Sequence, residues 1–154
     1  MNNNTHTTHF AFATDKNHQL IPKHFGDAEL FVIYKWESSQ FVYVNEIINP
    51  YKESEKTQHG DKNKGYDITH ELQKHNVHVL VSKQFGTNIS IINYAFIPII
   101  VSENNIQIAC NILSKHITWI IDELKNNPEF HKLFIIQNGV VKKNIVKSHP
   151  SAKT

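Results

Sequence analysis

The chain has 154 residues, 40% of them hydrophobic, with nine Phe, five Tyr and two Trp; this suits one domain with a true core and excludes a disordered tract. Its formal net charge is only +2, and all 16 basic residues are lysine. Without arginine the chain lacks the side chain that grips phosphate and guanine in bidentate fashion, so no nucleic-acid partner is expected.

The opening "MNNNTHTTHF" has neither a basic n-region nor an apolar h-region, and no signal peptide is expected. "HFAFATD" (9–15) reads as a short strand that ends at Asp15 and leads into the polar turn "KNHQ". "ELFVIYKWE" (29–37) and "FVYVNEII" (41–48) are β-branched and aromatic, and "SSQ" between them predicts an antiparallel hairpin. Asn49-Pro50 ends the second of these strands. The polar stretch "YKESEKTQHGDKNKG" (51–65) follows, a long loop for a compact domain.

"YDITHELQKH" (66–75) predicts a helix, with Ile68 and Leu72 on one face and Asp67 near its start. "VHVLVS" (77–82) is a buried type of strand, followed by a short helix near 88–94 and a further strand, "IPIIV" (97–101). Pro98 is tolerated near the start of that strand. Beyond Ser102, a candidate cap, an apolar stripe from Ile106 through Ala109, Cys110, Leu113, Ile117, Ile120 and Ile121 to Leu124 predicts one long helix. Asn126-Asn127-Pro128 stops it.

This order predicts an α/β fold with helices on both faces of a five-stranded mixed sheet, the first strand central and the strands at 77–82 and 97–101 parallel. "LFIIQNGVVKKNIV" (133–146) places two β-rich runs either side of Asn138-Gly139, which predicts an appended C-terminal hairpin. Such a ribbon needs the domain or a second subunit to pack on, so a homodimer is compatible with the sequence. The expected organisation is a domain over 9–125, an extension over 126–147, and disordered ends at 1–8 and 148–154.

Cys110 is the only cysteine, which excludes an internal disulfide and a cysteine-built zinc site and suits a reducing compartment. No uncharged apolar run reaches the roughly 18 residues of a membrane span. A soluble, cytoplasmic protein without a membrane partner is the expectation.

Of the 11 histidines, His24 has the most telling setting. It lies in "IPKHFGDAELFVIY" (21–34), between the strand ending at Asp15 and the next strand, and Gly26 permits close backbone approach there. That loop should reach the sheet end where the 77–82 strand also finishes, an edge at which ligands collect. The plain structural role is to close the loop by bonding a carbonyl. His59, beside Gly60 in the long polar loop, is a second imidazole that could swing toward His24, and two imidazoles alone make an open metal site.

"AFATD", "IPKHFGDAELFVIY", a strand ending in "NP", a polar loop with "HG" and "ELQKHNVHVLVSKQFG" succeed one another in order. Over roughly residues 9–124 this resembles the dinitrogenase iron–molybdenum cofactor biosynthesis family, the NifX-like and NifB C-terminal-like domains. "HFGDA" is the most specific element; "VSKQFG" departs from the glycine-rich strand end more usual there. The resemblance implies a three-layer, RNase H-like α/β/α fold. It also implies a non-catalytic carrier or accessory domain for a metal–sulfur cofactor, with cofactor-assembly proteins as partners. On that implication His24 and His59 are the metal contacts, and Phe25, Gly26 and Asp15 complete the cofactor-binding positions. With one cysteine, tight caging of a bare iron–sulfur cluster is not expected, since that takes about four thiolates; transient docking of a preassembled cofactor fits better.

Two other classes compete. An interaction module of the same fold without metal cargo is compatible with everything above. An RNase H-like nuclease needs several carboxylates converging at the sheet, and the 77–82 strand ends in Ser-Lys-Gln instead.

Overall fold

The structure, a computed structural model, describes residues 7–51, 62–126, 130–137, 139–143 and 145. Its strands are β1 (Thr8–Thr14), β2 (Leu30–Glu37), β3 (Gln40–Ile48), β4 (Val77–Ser82), β5 (Ile97–Ile100), β6 (Leu133–Ile136) and β7 (Val140–Lys143). The helices are α1 (Lys62–Gln73), α2 (Ile89–Ile92), α3 (Ile106–Lys115) and α4 (Ile117–Asn126). All the strands join one sheet in the order β3-β2-β1-β4-β5-β6-β7.

Alternation along β1 builds both cores. Phe10 and Phe12 point into one, with Val79, Val81, Ile97 and Ile99 beside them and Ile106, Ala109, Leu113 and Ile120 of α3 and α4 above. Ala11 and Ala13 point the other way, under Ile68 and Leu72 of α1 and Ile92 of α2. The small alanines leave room on that side for three large rings, Phe25, Phe31 and Phe96, all buried. The result is three layers, helices on both faces of a mixed sheet.

β2 and β3 pair antiparallel, turning at Ser38 and Ser39, both with positive φ (52° and 62°). Two consecutive positive-φ residues are what a two-residue hairpin turn requires. The pairing steps from Ile33↔Asn45 to Tyr34↔Tyr43, leaving Val44 as an unopposed extra residue on β3. β4 pairs parallel with β5, as the sequence predicts, and β1 also pairs parallel with β4. Asn76, at φ 57°, closes the turn from α1 into β4.

Three expectations need correction. The sheet has seven strands, because β6 pairs parallel with β5 (Ile99↔Phe134, Ile100↔Ile135) and β7 pairs antiparallel with β6. The tail therefore continues the sheet instead of forming an appended ribbon, and the middle position falls to β4 while β1 sits beside it. Asn138, on which the turn reading rests, lies outside the described residues.

Second, the single long helix is two. His116 breaks it at φ −120°, ψ 19°, and α4 begins at the next residue. The bend keeps the buried faces of both halves on one core. Asn105, not Ser102, caps α3, its side chain accepting from the Ile108 N–H at 3.0 Å. Third, α1 begins at Lys62, so Gly65 lies in its first turn and not in the preceding loop.

Candidate functional site

Because β1 and β4 are parallel, their C-terminal ends share one edge of the sheet, and the chain between β1 and β2 folds back across it. The Phe25 N–H donates to the Gln84 carbonyl at 3.1 Å, the Gln84 side-chain amide donates to the Pro22 carbonyl at 3.0 Å, and His24 and Gln84 form a parallel bridge. Residues 22–25 thus run as a short extra rung on the turn that follows β4. Ser82 ties that turn to its strand, its hydroxyl donating to the same Gln84 carbonyl at 2.9 Å.

After His24 the chain makes a 3-10 turn over Phe25–Asp27, closed by the Asp27 N–H to the His24 carbonyl at 2.9 Å. Phe25 is 1% exposed and stacks on Phe31 (4.8 Å) and Phe85 (5.6 Å), which fixes the turn to the core. A second anchor is Asn49. Its buried side chain donates to the carbonyls of Gly26 and Ala28, both at 2.9 Å, and accepts from the Tyr51 N–H at 3.0 Å.

His24, half-buried, stands at a cavity of about 40 Å³ lined also by Phe25, Gly26, Gly65, Phe85 and Gly86. That space suits about one water molecule, whose share of liquid volume is about 30 Å³. α1 reaches the cavity through Gly65 and Ile68, three residues apart on one side of the helix. Lys23 lies exposed beside His24. Asp27 lines the cavity as well, which places a carboxylate residue in its wall.

The sequence-predicted residues fare differently. His24 and Gly26 line the cavity; Phe25 forms its floor with a ring turned into the core. Asp15 follows β1 as expected, but its carboxylate accepts from the N–H groups of Asn17 (2.8 Å) and Gln19 (3.0 Å) and so organises its own turn. It does not line the cavity. His59 lies outside the described residues. Sequence reasoning missed Asn49, which reads only as a strand stop, and Gly86, whose signal was the "FG" of "VSKQFG".

Other titratable groups lie elsewhere. His9 and His78 meet where β1 and β4 begin, at the opposite edge, with ring centroids 6.2 Å apart. Burial lowers both pKa values from the ordinary histidine range, and each is lowered further by positive charge nearby, Lys35 for His9 and His9 for His78. Glu123 and His131 are buried together with 3.7 Å between Oε2 and Nδ1, too long for a hydrogen bond. Burial pulls His131 down, against the upward pull of Glu123. Cys110 sits in the α3–α4 core, its thiol pushed up to about 12 by burial, so it is no thiolate ligand. Among the described residues no three His, Cys, Asp or Glu side chains converge, and no helix is long and apolar enough to cross a membrane.

The family model described as dinitrogenase iron-molybdenum cofactor matches residues 8–109, more than half of the chain. The chain belongs to that family. The matched segment runs from β1 into α3 and contains the His24 loop, the α1 turn and the turn after β4. It ends before α4, β6 and β7, so the family match covers less than the resemblance over 9–124. The NifX-like assignment connects the protein with iron–molybdenum cofactor biosynthesis or binding. No curated protein matches the sequence closely.

Proposed function

We propose that this protein is a non-catalytic, cytoplasmic carrier or accessory domain that docks a preassembled metal–sulfur cofactor, or its precursor, on the sheet edge at His24. The observation that carries the reading is a half-buried imidazole at the mouth of a water-sized cavity, inside the family-matched segment. A neutral imidazole nitrogen can ligate a metal reversibly. Lys23 offers positive charge to an anionic cargo, set against the carboxylate of Asp27, which lines the cavity. The narrow cavity makes this a surface contact, and loose holding is what a carrier needs in order to hand its cargo on.

The first five strands run β3-β2-β1-β4-β5, the order behind the finer reading of the fold as RNase H-like with a two-strand extension. Cofactor-assembly proteins are the partners such a role calls for. Anaerobic titration with isolated iron–molybdenum cofactor, followed by gel filtration and metal analysis, tests the proposal. Wild type is expected to retain molybdenum and iron, and folded His24→Ala to lose most of both. Equal retention by the two proteins, or none by either, would sink it and leave the metal-free interaction module as the better reading.

A further inference from the structure

Gly86 follows Phe85 in the turn after β4, and its backbone φ lies outside the left-handed region. An L-residue could therefore adopt its conformation without strain, so the backbone alone gives no reason for glycine here. Space does. A Cβ built on Gly86 falls 2.8 Å from Nδ1 of His24 and 3.2 Å from both Cγ and Cε1 of the same ring. Real Cβ contacts do not come as close as the first of these, and the three nearest atoms all belong to one imidazole.

The backbone that carries the His24 ring cannot back away. It is bridged to Gln84, and the next residue is fastened to the same turn by the Phe25 N–H bond to the Gln84 carbonyl. Behind it, the Phe25–Phe85 stack joins the two segments through their side chains. The two backbone segments are thus held at fixed separation, so a side chain at 86 has to be accommodated by the ring of His24.

We infer that Gly86 is a positioning residue for His24: its bare Cα is the surface against which the Nδ1 side of the imidazole packs, and any side chain there displaces the ring. The inference rests on the cargo reading only for its consequence in binding; its geometric content stands apart from it. Gly65 provides the contrast. It lines the same cavity, but a Cβ there meets the Asn88 side chain, 3.1 Å away, and not His24.

A double-mutant cycle over Gly86→Ala and His24→Ala tests this, read by urea unfolding and by the imidazole signals of His24 in two-dimensional NMR. Gly86→Ala alone is expected to lower the folding equilibrium constant about tenfold and to shift the His24 ring signals. In the His24→Ala background the clash is gone, and the same change should cost less than about twofold, the strong non-additivity of groups in contact. Gly65→Ala should leave the His24 signals in place. Should Gly86→Ala fail to fold, recovery of a folded double variant supports the inference equally, and failure to recover overturns it. Equal costs in both backgrounds, or unmoved His24 signals in Gly86→Ala, also overturn it. Cofactor retention is measured separately: a wild type that retains none defeats the cargo reading and leaves the outcome of the cycle for Gly86 untouched.

Discussion

Asn49→Ala removes the one buried side chain that ties the His24 loop to the end of β3. Three hydrogen bonds go at once: two from its amide to the carbonyls of Gly26 and Ala28, and one accepted from the Tyr51 N–H. Each is worth about 0.5–1.5 kcal/mol net, and partners left buried without water raise the cost. Asn49 is 6% exposed and Ala28 fully buried, so at least one carbonyl is left stranded, and the sum is about 2–4 kcal/mol. For a chain of this size that lowers the melting temperature by roughly 4–16 °C. Asn49→Asp should be worse than Ala. It keeps the acceptor for Tyr51 but sets a carboxylate oxygen against two carbonyls. Urea unfolding of the three proteins measures the differences. A cost for Asn49→Ala below about 0.5 kcal/mol, or an aspartate variant as stable as wild type, would refute the argument that this amide secures the loop.

Phe134, fully buried on β6, sits in the same core as Phe10 and Phe12, so Phe134→Ala should cost about 3–5 kcal/mol by denaturant unfolding. A loss under about 1 kcal/mol would mean the tail is an accessory after all. Acidification should destabilise the protein below about pH 6.5. Burial lowers His9, His78 and His131 in the folded state, so the unfolded chain binds more protons there; stability is complete above that pH and declines as pH falls toward the folded values. Melting temperatures at pH 7.5 and 5.5 test this, and an unchanged or higher value at pH 5.5 contradicts it.

What is legible in the sequence is what local chemistry determines. The alternation in "HFAFATD" and the β-branched runs at 29–48, 77–82 and 97–101 correspond to β1 through β5, because each run matches the period of a half-buried or buried strand. His24 stands out through its neighbours in the chain. The sheet's full width does not, since whether "LFII" pairs with β5 or only with its own hairpin partner depends on a contact more than 30 residues away. Nor can the break at His116 be read: the apolar stripe keeps its period straight through it, from Leu113 to Ile120, and both halves bury it in the same core. Asn49 and Gly86 act on residues 21 to 62 positions distant, and a side chain's partner across such a gap leaves no local trace.

The extra residue at Val44 bears on what the outer edge of β3 offers to an incoming strand. β3 is an open edge nine residues long, with Tyr43, Val44 and Ile48 exposed and Glu46 its one charged side chain. The far edge, β7, is short and ends in Lys142 and Lys143, which discourages an incoming strand. β3 has no lysine, and relies on shape instead: the bulge throws the ladder out of step midway, so a second chain could match the half before Val44 or the half after it, but not both. Without that single valine the two halves of the edge would share one register, and the interruption that an incoming strand now meets would be gone.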